Sequence, residues 1–338
     1  GLYPLVILAT LATIIASQAV ITGVFSLTRQ AVQLGWMPRM KITQTSHEEY
    51  GQIYIPFMNW LLLVATIALV LGFRSSGNMA AAYGVAVSTD MVITTVLTFF
   101  VAQRWGWNPV LLGSLITVLL VVDLSFFGAN LLKVPDGGWY ALAVGASVFF
   151  VMTTWRQGRE LLAGRLRRDT EPLILSLTRI ACNPPPRVPG TAVFITESSQ
   201  STPPILLHHL KHNQVLHEQV LLLSVRTERI PWVAPAQQLK VKPLDQGFYR
   251  VDIHIGFKQN CSLPVALRMA ERLGLKVDLD KTTFYIGAES LIPTPNVPGM
   301  VLWRERIFAF LSRNAARRTD FYEIPSERVV VLGIQVDF

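Results

Sequence analysis

Five stretches of this chain are long and apolar enough to cross a lipid bilayer, and this constrains its fold more than anything else in its 338 residues. A spanning helix needs about 20 apolar residues, within a range of about 17 to 25. Runs that qualify lie at about 2–27, 55–73, 79–101, 110–132 and 138–155. The segments 74–78, 102–109 and 133–137 are too short to recross a bilayer, so the later spans are expected to form antiparallel hairpins. Trp60, Trp105, Trp107, Trp139 and Trp155 fall near the ends of the runs, where amphipathic rings favour the membrane–water boundary.

The composition agrees. Hydrophobic residues make up 51% of the chain and charged residues 15%, with a mean hydropathy of +0.39, too apolar for an ordinary soluble protein of this length. Residues 1–155 hold 6 Lys/Arg and 5 Asp/Glu out of totals of 30 and 22, so the net charge of +8 lies almost entirely in the second half. A basic region beside a membrane points to the cytosolic side near anionic lipid. It does not point to nucleic acid, because no aromatic–basic motif accompanies it. Two cysteines, Cys182 and Cys261, show neither CxxC spacing nor a disulfide framework, and both are expected to be reduced. The chain starts at Gly1 directly in an apolar run, without a basic n-region or a small-residue cleavage site, and reads as a piece of a longer protein. There is no GxGxxG, no phosphate-binding GxxxxGK[ST] and no GxSxG, so the sequence offers no residues on which to rest an enzyme.

Lysine and arginine in short loops set orientation. Arg29, Arg39, Lys41, Arg104, Arg156, Arg159, Arg165, Arg167 and Arg168 collect on one side, against Arg74 and Lys133 on the other. The richer side is assigned to the cytoplasm, which puts the segment 28–54 and everything after Trp155 inside. Residues 156–190 read as a basic juxtamembrane helix and linker interrupted by Pro184, Pro185 and Pro186. From 191 to 338 the pattern alternates. Strands are expected at 192–196, 219–225, 248–255, 283–286 and 328–336, and helices at 204–212, 263–273 and 303–316. This is the pattern of a small α/β domain with a largely covered sheet.

The first span carries unusual polarity: Thr10, Thr13, Ser17, Gln18, Thr22 and Ser26. At about 100° per residue, Thr10, Thr13 and Ser17 share one face, and Gln18, Thr22 and Ser26 share the adjoining one. Two readings fit. Such groups act as interhelical glue in membranes, or their oxygens line an aqueous cavity and coordinate a hard cation. Asp90 lies near the middle of the third span, where a carboxylate must face protein or water; a proton relay or gate and a hydrogen-bonded structural role both fit. Asp123, in the fourth span, reads as structural, with Ser125 and Asn130 as local partners. His208 and His212 stand one turn apart near His209, but no third ligand at a recognised spacing makes this a metal site, and a solvated helix face is expected.

Ala16-Ser17-Gln18-Ala19-Val20-Ile21-Thr22-Gly23, followed by Ser26-Leu27-Thr28-Arg29-Gln30, resembles the eighth span of the Kup/HAK/KT potassium uptake permeases. Met37-Pro38-Arg39, Thr45-Ser46, Gly51-Gln52-Ile53-Tyr54-Ile55-Pro56 and Asn59-Trp60 are similar to the next loop and ninth span. Ala129-Asn130-Leu131-Leu132-Lys133 and Gly137-Gly138-Trp139 match the turn between the last two spans. The tail agrees at Gly299-Met300, Trp303-Arg304-Glu305, Arg313-Asn314-Ala315, Ile324-Pro325 and Arg328-Val329-Val330.

The resemblance implies a twelve-span bacterial inner-membrane permease with the inverted-repeat core of the amino-acid/polyamine/organocation type. It implies K+ uptake by K+/H+ symport, with this chain supplying spans eight to twelve and the cytosolic domain, and no cofactor. The implied partners are K+ and H+, membrane lipid, the N-terminal half of the same permease, and a second copy through the cytosolic domain. Of the family's cation-site spans only the eighth is present here, and it carries over Thr13, Ser17, Gln18 and Thr22. The competing expectation is a membrane-anchored sensor whose tail binds a ligand, against which the polar first span argues.

Overall fold

The computed structural model describes residues 2–44, 52–168, 171–196, 201–259, 262–292 and 299–337. Thr45, Ser46 and Gly51 of the loop motif, and Cys261, lie outside the described residues. Helix α1 (Leu2–Gln33) is followed by the antiparallel strands β1 (Thr43–Gln44) and β2 (Ile53–Tyr54), then α2 (Pro56–Phe73), α3 (Ser76–Arg104), α4 (Pro109–Leu131) and α5 (Trp139–Arg168). Five helices have the length and composition to cross a membrane. The helices extend past the hydropathy runs: α1 continues to Gln33, and α5 runs unbroken to Arg168. Hydropathy falls where charges begin, whereas a helix stops only where its backbone ladder fails. Between Trp155 and Arg168 there is no proline, and the Arg156–Glu160 pair at 2.9 Å supports the extension at an i,i+4 spacing.

The chain forms two compact units, residues 1–58 with 152–338 and residues 59–151. In the second, α3 and α4 form a close hairpin. Asn108 caps α4 by accepting from the Val110 N–H at 3.0 Å, with Pro109 at the first helical position. Ala102 packs with Leu112 and Ile116 near the turn. Toward the other end, small residues bring backbones together: a Cβ at Gly84 would lie 2.7 Å from Asn130 Oδ1, and one at Gly138 2.5 Å from a Val85 methyl. Phe73, Trp139 and Tyr140 make edge-to-face contacts at 5.8–6.2 Å between ring centres.

In the first unit, α6 (Leu173–Cys182) precedes an alternating series. This consists of β3 (Arg187–Thr196), α7 (Pro204–Asn213), β4 (Leu216–Glu228), α8 (Pro235–Gln238), β5 (Leu239–Pro243), β6 (Phe248–Gly256), α9 (Leu263–Glu271), β7 (Thr282–Ile292), α10 (Leu302–Arg313), α11 (Arg318–Phe321) and β8 (Val329–Asp337). The sheet order is β5-β6-β4-β3-β7-β8, parallel except for β5 at one edge. A parallel sheet needs both faces covered, and alternate residues divide accordingly. Val193, Ile195, Leu221, Leu223, Val251 and Ile253 pack with Leu263, Leu267 and Ala270 of α9. Ala192, Phe194, Val220 and Leu222 pack with Leu206 of α7 and with Leu173 and Ile180 of α6. Each of these large side chains contributes roughly 1.5–3 kcal/mol on burial.

Several short elements are not evident from the pattern, and two of them matter most. Strand β5 carries Lys240, Lys242 and Pro243, which mark a charged edge rather than a core strand. Helix α6 falls in the stretch read as juxtamembrane helix and linker, yet its Leu173 and Ile180 belong to the sheet core.

The connections near the ends of α1 and α5 pack on this unit. Phe25 meets Tyr54 edge-on at 5.8 Å, and Ile55 is wholly buried. Arg29 donates to the Lys258 carbonyl at 3.1 Å. The Arg39 carbonyl accepts from the Ala316 N–H at 2.7 Å. Arg156 lies over the Trp36 ring at 4.3 Å, and Trp155, Leu162, Met300 and Phe308 form a separate apolar cluster. The loop after α1, the end of α5 and the α/β domain therefore share one compact unit.

Candidate cation path

Helix α1 presents its polar residues in an order set by its backbone. Thr13 Oγ1 donates to the Ala9 carbonyl at 2.8 Å, Ser17 Oγ to the Ile14 carbonyl at 2.9 Å, and Thr22 Oγ1 to the Gln18 carbonyl at 2.9 Å. Thr10 does the same to Val6 at 2.8 Å. Each hydroxyl thereby gives its single proton to the helix and keeps its lone pairs directed outward. That polarity suits a cation, which needs oxygen lone pairs and no opposing O–H. The Gln18 side-chain amide has no hydrogen-bond partner among the described residues and adds a carbonyl oxygen at the same level. From Thr13 to Thr22 the oxygens extend along about 14 Å of helix, at 1.5 Å per residue. All four side chains, like residues 2–20 throughout, are exposed among the described residues.

Thr13, Ser17, Gln18 and Thr22 thus share one helix. Asp90 stands on α3 in the other compact unit, exposed among the described residues, while its neighbours Ser88 and Thr89 bond back to the Gly84 and Val85 carbonyls at 2.8 and 2.7 Å.

Asp123 differs from expectation in its partner. It is only 5% exposed, and its Oδ2 accepts from Thr95 Oγ1 of α3 at 2.5 Å. Ser125 instead donates to Val121 on its own helix at 2.7 Å, and Asn130 faces Gly84. A short hairpin brings residues across from one another that are far apart in sequence, so the partner 28 positions upstream is favoured over those two and seven positions away. Thr95 was legible only through the antiparallel register of the hairpin.

In the α/β domain the His208 and His212 rings lie 4.5 Å apart. Among the described residues no group of three or more His, Cys, Asp or Glu is placed to hold a metal. His209 is the more unusual residue. It is buried with Phe194 and Tyr285, its Nδ1 lies 2.8 Å from Asn213 Nδ2, and it shares Tyr285 with His217. Burial pushes both imidazoles below the ordinary value of 6.5, and for His209 the nearby His217 adds to the effect while the Val215 backbone opposes it. Burial also raises the Tyr285 phenol.

The sign is definite. A histidine held neutral by the fold stabilises it fully above the unfolded value, and that stability is lost as pH falls below about 6.5 toward the folded values. The domain's thermal midpoint is therefore expected to drop between pH 7 and pH 5, and His209→Gln to flatten that dependence. An unchanged slope in scanning fluorimetry would remove these imidazoles as the cause.

Comparison with known proteins covers both halves. A family model described as the K+ potassium transporter integral membrane domain matches residues 1–160, and one described as the K+ potassium transporter C-terminal domain matches residues 189–338. A protein of Geobacter sulfurreducens named probable potassium transport system protein Kup 1 is 58% identical over 338 residues, all of this chain and 54% of the relative. The probable potassium transport system protein Kup of Nitrosomonas eutropha is 56% identical over 337 residues, 99% of this chain and 53% of the relative. That of Myxococcus xanthus is 52% identical over 337 residues, 99% of this chain and 52% of the relative. The chain spans about half the length of the curated relatives it matches. Because the first match takes in the spans themselves, the anchored-sensor reading is not favoured. These matches, with five helices able to cross a membrane, make this a multi-pass membrane chain of a transporter family rather than an enzyme, and it belongs to the Kup/HAK/KT family of potassium transporters.

Proposed function

We propose that the chain is the C-terminal part of a permease that takes up potassium across a bacterial inner membrane as a K+/H+ symporter. In this reading its five spans are the eighth to twelfth of an inverted-repeat core of the amino-acid/polyamine/organocation type, and the α/β domain is cytoplasmic. The N-terminal half of the same permease covers the exposed surface of α1, and a second copy pairs through the α/β domain. Potassium sheds its water only where protein oxygens replace it, and neutral hydroxyl and amide oxygens do so without trapping the ion. Thr13, Ser17, Gln18 and Thr22 supply such oxygens. The observation that carries the proposal is their placement on two adjoining faces of α1, with the hydroxyl protons of Thr13, Ser17 and Thr22 turned into the helix and lone pairs outward.

Asp90 is assigned the coupled proton, because an intramembrane carboxylate is the usual carrier of one. In the full-length transporter Asp90→Asn conserves volume and removes the titrating group. Rubidium uptake by potassium-depleted cells is then expected to lose its rise toward acid pH. A pH profile parallel to wild type at equal protein level would refute the assignment.

A further inference from the structure

Helix α10 buries one face in the usual way but carries large aromatic side chains on the other. Its inward face carries Glu305, Phe308 and Ala309, all buried. Trp303, Arg306, Phe310 and Arg313, spaced three, four and three residues apart, lie on the other side within about 80° of one another at about 100° per residue. That side is exposed, with Trp303 at 55% and Phe310 at 61%, and Val301 just before the helix at 65%. Large aromatic rings alternating with guanidinium groups suit a headgroup layer better than water.

The packing of α10 puts it where such a layer would be. Arg304 donates to the hydroxyls of Thr154 at 2.8 Å and Thr153 at 3.2 Å, the last residues before Trp155 closes the fifth apolar run. Phe308 packs on Trp155 at 5.4 Å between ring centres, and a Cβ at Gly158 would lie 2.3 Å from its ring. Glycine there lets α10 press against α5 within a turn of the end of the span. Just past the helix, Ala316 bonds to Arg39 in the loop after α1. Helix α10 is thus held at both ends by segments that leave the membrane.

We infer that the exposed face of α10 is a binding surface for anionic phospholipid headgroups. Arg306 and Arg313 offer paired N–H donors to phosphate, while Trp303 and Phe310 enter the boundary between headgroups and acyl chains. The surface depends on the multi-pass placement of the chain and is independent of the cation path, so either can fail without the other.

The test uses the full-length transporter with Cys182→Ser and Cys261→Ser, bearing a polarity-sensitive label on Phe310→Cys. It is reconstituted in nanodiscs of phosphatidylcholine alone or with phosphatidylglycerol, and held in detergent without lipid. The label is expected to be shielded from iodide and blue-shifted only with phosphatidylglycerol. A basic side chain near an anionic surface is worth about a factor of five in occupancy, so Arg306→Gln with Arg313→Gln is expected to lower the docked ratio about thirtyfold. Equal shielding in detergent would mean that protein, either other spans or a second copy, covers the face, and would overturn the inference. So would equal shielding in both lipids, or full iodide access throughout. Amide exchange across Leu302–Arg313 in the same discs repeats the comparison without substituting the face.

Discussion

Ser17→Ala and Gln18→Ala, each made in the full-length transporter, are expected to raise the rubidium concentration for half-maximal uptake about tenfold or more at normal protein levels. A polar group facing a charged partner contributes about 1.5–3 kcal/mol, and each 1.4 kcal/mol is a factor of ten. The two residues fail differently. Ser17→Ala removes an oxygen whose proton is already committed to the Ile14 carbonyl, so it deletes a lone-pair donor and leaves the helix ladder intact. Gln18→Ala removes the one amide of the stripe, while the Gln18 backbone carbonyl continues to accept from Thr22. If these groups were only glue between helices, each change would cost about 0.6 kcal/mol of stability and leave affinity alone. Wild-type concentration dependence in both variants would sink the cation path.

Gly137→Ala is expected to be among the most damaging single-methyl changes in the membrane part. Gly137 has φ of +155°, and a Cβ built there would lie 2.4 Å from the Asn78 carbonyl oxygen at the start of α3. That oxygen is backbone and cannot rotate away. Overpacking of this kind costs about 1–3 kcal/mol, and an unfavourable φ adds about 1–3 kcal/mol, against a total stability on the order of 5–15 kcal/mol for a typical domain. A fall in folded yield and a thermal midpoint lower by many degrees, read by size-exclusion fluorescence in detergent, is the expected result. Gly113→Ala is the matched control, because nothing lies within 4 Å of its added methyl and a mid-helix alanine gains about 0.5–1 kcal/mol. Similar midpoints for the two variants would show that the turn tolerates the methyl.

The five spans, the polar stripe of α1 and the alternation of strands and helices after residue 190 are properties of local sequence. Each follows from a run of residues too long, too apolar or too regular to do anything else. Thr13, Ser17, Gln18 and Thr22 fall on two adjoining faces of one helix because helical spacing alone decides it. What tertiary structure decided lies wherever two distant segments meet. Asp123 bonds to Thr95 and not to Ser125, because the α3–α4 hairpin, with Gly84 against Asn130 and Ala102 against Leu112, lays Thr95 across from it. Phe308 of α10 packs on α5 beyond the end of its apolar run, because Gly158 leaves room for its ring. Leu173 and Ile180 of α6 join the sheet core, and Trp303 and Phe310 of α10 stay outside it. Hydrophobicity states that a side chain will leave water, but only packing selects between the core and another apolar neighbour.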